Sequence, residues 1–325
     1  MFNSPLRYPG GKNKLAAFFA KICIDNNITG HYIEPYSGGG SVALFLLLEG
    51  FVQNITINDM DRSIYAFWYS VLNHTQELCT RIQDADLTVE NWHIQKAFQD
   101  SKEDCNLIDL GFSTLFLNRT NRSGIITGGI IGGVEQRGNY KIDCRFNKET
   151  LISRIKNIAK HRENIRLLHM DAIDLIDLIE TEPNPQNAFF YFDPPYYNKA
   201  SSLYMNHYKN DNHLEVSNRI KNIQEIKWAV SYDDVPEIQS LYAGCSKKEY
   251  SFKHTAGVKK TGMELLFFSS NLIQPRTPDE WNPIYFRLRK SKIFHRPAKI
   301  GYKGIRNFDR VNQGSLLFVS NQTFQ

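Results

Sequence analysis

The sequence has no long apolar run, no internal repeat and no tract of low complexity. The longest apolar stretch, residues 42–48, is far shorter than the ~20 residues that a membrane-spanning helix needs. Arg7 and Lys12 interrupt the N-terminus before the apolar core of a signal peptide develops. We therefore expect a protein that makes no contact with a membrane and has ample length, 325 residues, for a folded core.

Cysteine is scarce and never closely paired in the sequence. The five cysteines are Cys23, Cys79, Cys105, Cys144 and Cys245. Many zinc sites are marked by cysteine pairs at short spacing, and disulfide frameworks by dense cysteines in small secreted domains. The sequence therefore predicts no metal and no disulfide framework, and it favours a reducing cytoplasm as the place where the protein works.

Outside the C-terminal region, neither positive nor negative charge is in clear excess. The chain carries a formal net charge of +5, and residues 272–325 alone hold ten Lys and Arg against three Asp and Glu. The basic excess therefore belongs to this tail, which could attract a polyanion such as DNA. A solvated surface that keeps the protein soluble is the alternative.

Strand and helix patterns alternate along most of the chain. Short runs, several of them apolar on both faces, predict seven strands at residues 31–37, 54–59, 165–171, 188–193, 227–233, 245–252 and 264–270. Helical patterns lie between them at residues 12–26, 42–49, 62–83, 148–161 and 211–226. This alternation predicts an α/β fold with a doubly wound, mostly parallel, seven-stranded Rossmann-like sheet.

One connection is too long to be a simple crossover. About eighty residues separate the helical pattern that ends near residue 83 from the strand that begins at 165. They include the glycine-rich run 123–138, and we interpret residues 86–159 as an inserted module. The catalytic domain would then be discontinuous, over residues 1–85 and 160–271, with a basic extension of unassigned role at 272–325.

The most informative residues of the chain are Asp193-Pro194-Pro195-Tyr196. They follow an apolar aromatic run and so lie at the carboxyl end of a predicted strand, where open α/β sheets bind their ligands. The prolines stiffen the turn and leave carbonyls free to accept, while Asp193 adds a carboxylate acceptor and Tyr196 a flat ring. This set suits an aromatic amine such as that of adenine. An ordinary strand-to-loop turn is the alternative.

A glycine-rich motif, Ile-Glu-Pro-Tyr-Ser-Gly-Gly-Gly-Ser at residues 33–41, joins a predicted strand to a predicted helix. Its glycines would let the backbone turn sharply and approach a ligand. The spacing is neither that of a phosphate loop nor that of a dinucleotide fingerprint. The next predicted strand ends at Asp59, a carboxylate well placed to accept from both hydroxyls of a ribose, unless it only caps the following helix.

A third motif, Arg7-Tyr8-Pro9-Gly10-Gly11-Lys12, precedes an amphipathic helical pattern and alone could be no more than a helix start. Along the chain, this motif comes first, the glycine-rich motif second and Asp-Pro-Pro-Tyr third, with a long insert before the third. Together, in that chain order, the three motifs resemble the Dam-type DNA adenine methyltransferases. The resemblance extends over roughly residues 1–271 and includes segments at 116–120 and 128–133 that are similar to the target-recognition hairpin of the family.

The resemblance implies S-adenosylmethionine as the methyl donor and no metal. The residues that it matches to donor contacts are Tyr8, Lys12, Glu34, Gly38, Gly40, Asp59, Asp171 and Asp193. For Asp171, a cap on the following helix is the alternative. The catalytic residues that it implies are Asp193, Pro194, Pro195 and Tyr196.

The resemblance further implies double-stranded DNA as the partner, with the target adenine rotated out of the helix. Asp193 and the carbonyl of Pro194 would accept the two amine N–H bonds, and Tyr196 with Tyr197 would stack on the base. From the insert, the candidates for DNA contacts are Arg119, Asn121, Arg122 and Arg137. A flexible loop with surface arginines is the alternative for this segment.

Several expectations about the biological setting follow from the same resemblance. We expect a monomer in catalysis, in the cytoplasm of a bacterial or phage-infected cell, with a cognate restriction endonuclease as a candidate partner. An RNA or cytosine-amine methyltransferase is a second hypothesis, although no RNA-binding module is visible. A non-catalytic DNA-binding protein that kept the fold is a third, and it would be favoured by damage to the motifs, which are intact here.

Overall fold

The computed structural model of the chain describes residues 4–7, 12–197, 210–253, 261–275, 282–289 and 299–302. Seven strands form one sheet in the order β3-β2-β1-β4-β5-β7-β6. They are β1 (His31–Glu34), β2 (Asn54–Asn58), β3 (Ile165–Leu168), β4 (Ala188–Phe192), β5 (Lys227–Asp233), β6 (Ser246–Lys253) and β7 (Thr261–Phe268). Strands β1 to β5 pair in parallel, whereas β7 is antiparallel to both β5 and β6. The predicted seven-stranded, mostly parallel sheet is confirmed.

Ten helices accompany the sheet in the described part of the chain. They are α1 (Ala16–Asp25), α2 (Ser41–Leu48), α3 (Arg62–Asn73), α4 (Thr75–Asp84), α5 (Val89–Asp100), α6 (Leu107–Thr120), α7 (Lys148–Ala159), α8 (Ala172–Glu180), α9 (Asn210–Lys221) and α10 (Pro236–Leu241). The single helix predicted over residues 62–83 is wrong, because the chain leaves the helical conformation at His74, with φ −126° and ψ 37°. The Thr75 hydroxyl donates to the Val71 carbonyl at 2.7 Å, a local bond that competes with helix continuation.

Strand β4 is buried on both faces, which explains its continuous run of aromatic side chains. Phe189 and Tyr191 pack against Phe19 of α1, with ring centroids 6.0 and 4.3 Å apart. The alternate residues Phe190 and Phe192 join the core on the opposite face, which includes side chains of α8 and α9. The residues that follow β4 therefore leave a rigid central strand.

The neighbouring strands β1 and β4 lie where the strand order reverses direction. Their register pairs His31 with Ala188, and both strands end at the same edge of the sheet. In open α/β sheets the chain leaves such strands toward opposite faces, which opens a crevice for ligands at their carboxyl ends. The glycine-rich turn after β1 and the loop after β4 both begin at this edge.

The inserted segment is mainly helical, and it packs closely on α3. A Cβ atom added to Gly111 of α6 would lie 2.5 Å from the Ala66 carbonyl oxygen, so the two helix backbones approach closely here. Phe116 and Leu117 join the same core as β4. The domain boundaries at 86 and 159 stay predictions.

The glycine-rich run within the insert does not form a β-hairpin. One isolated antiparallel bridge joins Asn121 to Ile130, and the rest of the run consists of turns. The Gln136 side chain organises these turns by donating to the carbonyls of Ile131 and Gly133. These local side-chain bonds satisfy backbone groups that strand pairing would otherwise use.

The first residues of the predicted extension remain attached to α1. The amide of Asn26, just past α1, donates to the carbonyl of Ile273 at 2.8 Å and accepts from its N–H at 2.8 Å. Further on, β8 (Phe286–Arg289) and β9 (Lys299–Tyr302) form a two-stranded antiparallel sheet. Residues 303–325 lie outside the described part of the chain. No helix within the described ranges is long and apolar enough to cross a membrane.

Candidate active site

Asp193 follows β4 directly and is held from two directions. Lys12 Nζ lies 2.8 Å from Oδ1 and 2.9 Å from Oδ2, and the Ser231 hydroxyl of β5 donates to Oδ1 at 2.6 Å. A carboxylate offers about four lone-pair sites. Within the described part of the chain, these contacts occupy both sites of Oδ1 and one of Oδ2. One acceptor position on Oδ2 therefore remains for an incoming N–H group.

The position of Lys12 follows from the packing of the helix it precedes. Lys12 begins a 3₁₀ turn, Lys12–Leu15, that leads into α1, and α1 is fixed on β4 by the contact of Phe19 with Tyr191. The Lys12 side chain is 8% exposed, so its ammonium group is largely removed from water. Burial of such a charge is tolerated because carboxylates surround it.

Tyr196 lies in the same buried cluster. Its hydroxyl accepts from Lys12 Nζ at 2.7 Å and donates to Glu264 of β7. Tyr250 of β6 donates to the other oxygen of Glu264. Burial and the neighbouring Glu264 carboxylate raise the pKa of Tyr250 well above its usual value, so this phenol stays a donor.

Three members of this cluster, Ser231, Tyr250 and Glu264, are absent from the sequence-based site. They lie on β5, β6 and β7, far from the motifs along the chain, and only the strand register brings them to the loop after β4. The sequence did contain one indication that Glu264 belongs to a site. Glu264 interrupts an otherwise apolar run that ends at Phe268, and a charge buried in a strand usually has a specific partner.

The remaining loop residues have defined environments. Pro194 is buried and Pro195 is partly exposed. The backbone N–H of Tyr197 donates to Asp233 at 3.0 Å, and its ring lies 5.2 Å from the His213 ring, centroid to centroid. Tyr197 is thus packed against α9, and its predicted stacking on a base stays a prediction.

The glycine-rich turn has the geometry that its sequence predicts. Gly38 and Gly40 have φ angles of +45° and +55°, which side-chain-bearing residues rarely adopt. A Cβ at Gly40 would also lie 3.3 Å from the Trp68 ring. The Ser37 hydroxyl is buried in this turn and has no hydrogen-bond partner within the described ranges. A buried hydroxyl without a partner is rare in folded proteins, and this one is a candidate hydrogen-bonding position for a ligand bound at the turn.

Asp59 joins the glycine-rich turn to the end of β2. Its carboxylate accepts from the N–H of Gly38 and the N–H of Asp61, each at 2.9 Å and each on a different oxygen. One lone pair on each oxygen is left, which is what two vicinal hydroxyls need. Burial raises the pKa of Asp59 to about 7, with a further contribution from the Asp61 charge. Asp61, not Asp59, caps α3.

Glu34, at the end of β1, is turned toward the protein interior. Its Oε1 atom accepts from the Tyr32 hydroxyl and from the N–H of Ala43 in the first turn of α2, both at 3.1 Å. Burial raises the pKa of Glu34 to about 8, and the nearby Asp193 charge acts in the same direction. Glu34 therefore connects β1 to α2 beneath the glycine-rich turn.

Two further residues, Asp171 and Tyr8, were expected to contact the methyl donor. Asp171 caps α8 by accepting from the N–H of Ile173 at 2.7 Å, as the alternative interpretation expected, and it remains partly exposed. Its contact with the adenine ring of the methyl donor stays a prediction. Tyr8 lies outside the described residues.

The predicted DNA contacts of Arg119 and Asn121 are not supported by the structure. Arg119 is 8% exposed, its guanidinium donates to the Pro5 carbonyl, and burial lowers its pKa to about 9. Asn121 is fully buried, accepts from Trp92 Nε1 at 2.6 Å and donates to the carbonyls following the helix. Arg119 thus joins the end of α6 to the N-terminal segment, and Asn121 joins it to α5 and to the following turn.

Arg122 and Arg137 are exposed, as a DNA-contacting role requires. Arg137 is 84% exposed and lies 3.0 Å from Glu135, an exposed ion pair of small energetic value. Tyr140 and Val134 are large apolar residues that are also exposed on this segment. The exposed surface of residues 122–145 is therefore mixed basic and apolar. Within the described ranges, no group of three or more His, Cys, Asp or Glu is arranged to hold a metal.

Comparison with known proteins adds a family assignment to this geometry. The family model described as D12 class N6 adenine-specific DNA methyltransferase matches residues 8–258. The chain is 26% identical over 215 residues to the Type II methyltransferase M.MjaIII of Methanocaldococcus jannaschii, a match that covers 61% of this chain and 71% of that protein.

Two solved methyltransferase structures show a weak likeness to the chain. A SAM-dependent methyltransferase from Agrobacterium tumefaciens is 8% identical, with a TM-score of 0.36 over 78% of this chain and 60% of that one. The rRNA methyltransferase aviRa from Streptomyces viridochromogenes is 11% identical, with a TM-score of 0.34 over 81% of this chain and 86% of that one. TM-scores this low add no argument about the chain.

Proposed function

The chain belongs to the D12 class of N6 adenine-specific DNA methyltransferases, and from this premise we propose the reaction of its site. We propose that it transfers a methyl group from S-adenosylmethionine to the N6 amine of an adenine rotated out of duplex DNA. The observation that carries the proposal is the single acceptor position left on Asp193 Oδ2, at the carboxyl end of β4 and beside Tyr196.

The edge of the sheet beside β1 and β2 fits the methyl donor. Asp59 keeps one lone pair on each oxygen for the two ribose hydroxyls, and the orphan hydroxyl of Ser37 offers a polar contact in the glycine-rich turn. The positive φ angles of Gly38 and Gly40 let the backbone pass close to a ligand. When bound, S-adenosylmethionine supplies an electrophilic methyl group.

Glu34 and Asp171 would contribute to the donor site in different ways. Glu34 is bonded to Tyr32 and Ala43, so its support for the turn is indirect. Asp171 keeps an oxygen other than the one that caps α8 for a donor contact. Lys12 borders the same edge through its ion pair with Asp193, and Tyr8 completes the set in the proposal.

Asp193 would accept one amine N–H of the target adenine, and the carbonyl of Pro194 the other. The amine lone pair is delocalised into the ring, so it is a poor nucleophile in the planar form. Two acceptors favour a pyramidal nitrogen, and the Asp193 carboxylate stabilises the positive charge that develops on it. Tyr196 would stack on the base, and a displacement of this kind mainly requires positioning.

The exposed surface of the insert would contact duplex DNA. Arg122 and Arg137 are candidates for base or phosphate contacts, and Tyr140 is exposed enough to contact bases or sugars. The similar archaeal protein is named a Type II methyltransferase. By analogy we propose a site-specific enzyme with a cognate restriction endonuclease. From the family resemblance of its motifs we further propose that it acts as a monomer in the cytoplasm of a bacterial or phage-infected cell.

The deciding experiment is methyl transfer from labelled S-adenosylmethionine to unmethylated bacterial DNA, followed by analysis of the nucleosides. We expect the label in N6-methyladenine, and none when the Asp193→Ala protein replaces the wild type. Labelled cytosine would contradict the proposed acceptor. If the folded protein binds the donor but labels only an RNA added in parallel, the proposal of DNA as substrate is overturned.

A further inference from the structure

Glu264 is a buried carboxylate on β7 that contacts the loop after β4, although β5 lies between β7 and β4 in the sheet. The residue is 2% exposed. Its Oε1 atom accepts from the hydroxyl of Tyr196, its Oε2 atom accepts from the hydroxyl of Tyr250, and Lys12 Nζ lies 3.6 Å from Oε2. An unpaired carboxylate at this depth would be strongly destabilising. The partners explain how the charge is tolerated, and its position next to Tyr196 indicates what it does.

The strand register places Glu264 beside a second carboxylate with a related contact. Glu264 on β7 is opposite Asp233 on β5 and Tyr250 on β6, and directly opposite residues of antiparallel strands share one face of the sheet. Asp233 accepts from the backbone N–H of Tyr197. The antiparallel half of the sheet thus holds two successive loop residues, Tyr197 by its main chain and Tyr196 by its side chain.

Fixing the hydroxyl of a tyrosine restricts its whole ring. The Tyr196 ring turns about two side-chain bonds, and its hydroxyl lies at the end farthest from the backbone. Donation to Glu264, together with the 2.7 Å contact from Lys12, holds that end in place. A ring that is held before substrate arrives loses less conformational entropy when a base stacks on it. Glu264 itself is only 2% exposed, so it is not placed to touch the substrate.

We propose that Glu264 is a positioning residue for methyl transfer, acting through the phenol of Tyr196 to hold the ring on which the target adenine stacks. This inference rests on the proposed function. Tyr250 supports Glu264 from β6, and Lys12 links it to Asp193, so one network fixes both the acceptor and the stacking surface.

A double-mutant cycle tests the inference on the full-length protein. The variants are Tyr196→Phe, Glu264→Gln and the combination, each assayed for single-turnover methyl transfer and DNA affinity. Tyr242→Phe is the matched control, because Tyr242 is also buried but lies just after α10 and packs on Phe267, with ring centroids 4.7 Å apart. A duplex with 2-aminopurine at the target position reports stacking through its fluorescence.

If Glu264 acts through Tyr196, we expect each single variant to slow methyl transfer about tenfold, with DNA affinity changed less than about threefold. The double variant should then be no slower than the slower single variant. The 2-aminopurine signal should rise in Glu264→Gln, because the base stacks less well, and it should stay at the wild-type level in Tyr242→Phe.

Additive losses in the double variant would overturn the inference, because they would show that Glu264 acts independently of the phenol. If Glu264→Gln does not fold, Tyr250→Phe replaces it in the cycle, since it loosens Glu264 without leaving a carboxylate unpaired. In that version, unchanged methyl transfer and unchanged fluorescence would overturn the inference. A wild-type protein that methylates no adenine would instead contradict the proposed function, so the two failures are distinct.

Discussion

Lys12 Nζ lies within 2.9 Å of both oxygens of Asp193, although 181 residues separate the two along the chain. The first comes from the N-terminal motif and the second from the loop after β4. Their ion pair is mostly shielded from water, with 8% and 23% of the side chains exposed, so it is stronger than a surface pair. It orients the carboxylate and reduces the cost of burying it.

The ion pair predicts a catalytic defect for Lys12→Gln. Without the ammonium group, Asp193 loses a partner at each oxygen and keeps only Ser231 among its described partners. We expect kcat to fall on the order of 10- to 100-fold, since the acceptor geometry is no longer fixed. Lys21→Gln is the control, because Lys21 pairs with Asp25 on the opposite end of α1. Wild-type turnover in Lys12→Gln would show that the pair is not needed.

Asp193→Ala should abolish methylation while the fold is retained. The variant removes the proposed acceptor and charge stabiliser, for which a loss of at least about 10² to 10³ in kcat is typical. Lys12 would still have Glu264 and Tyr196 nearby, so its charge would not be left unpaired. Circular dichroism should match the wild type, and DNA affinity should be largely retained. A kcat within about tenfold of the wild-type value would contradict the catalytic assignment.

The sheet and the motif loops could be predicted from the sequence because their signals are local. The apolar runs predict β1, β2 and β4, and each run is followed directly by the residues of the site. Glycine and proline specify the turns at those positions through their own backbone preferences. The local sequence signals of a strand and of the turn that follows it therefore locate Asp193 and the glycine-rich turn to within a few residues.

The rest of the site depends on contacts between distant segments. Glu264 and Tyr250 meet Tyr196 only because β5, β7 and β6 pair in one register, and a one-residue slip would turn them to the other face. The burial of Arg119 and Asn121 could not be predicted for a related reason. Their polar side chains suggest an exposed surface, but α6 packs on α3 and buries both. Burial of that kind depends on tertiary packing rather than on composition.

The raised pKa of Asp59 predicts a pH dependence of donor binding. Its pKa of about 7 means that the ionised fraction increases as the pH rises from 6 to 8. The ionised carboxylate is the better acceptor for two hydroxyls, so the affinity for S-adenosylmethionine should increase about three- to tenfold over this range. Calorimetric titrations of the wild type and Asp59→Asn separate this effect from titration of the donor. An equal pH dependence in both proteins would contradict the ribose role.

The raised pKa of Glu34 predicts that stability decreases as the pH rises, whereas an ion-paired carboxylate makes stability increase with pH. Its pKa is raised from 4.5 to about 8 in the folded state, so the folded protein binds more protons than the unfolded chain between these values. The free energy of unfolding should therefore decrease as the pH rises from about 5 to 8, by no more than ~1.4 kcal/mol per unit. Thermal unfolding of Glu34→Gln should depend less on pH. A stability that rises over this range through Glu34 would contradict the buried placement.

Exposed and buried arginines of the insert should respond differently to substitution. If Arg122 and Arg137 contact phosphates, replacing either by Ala should weaken DNA binding. The slope of the logarithm of the binding constant against the logarithm of the salt concentration should become shallower by about one. Arg119→Ala should instead lower the melting temperature, because it leaves the Pro5 carbonyl without this donor inside the protein. Fluorescence anisotropy at several salt concentrations and thermal unfolding distinguish the two effects. An unchanged melting temperature with a reduced salt slope in Arg119→Ala would show that this side chain leaves its buried site to contact DNA, and that the insert rearranges on binding.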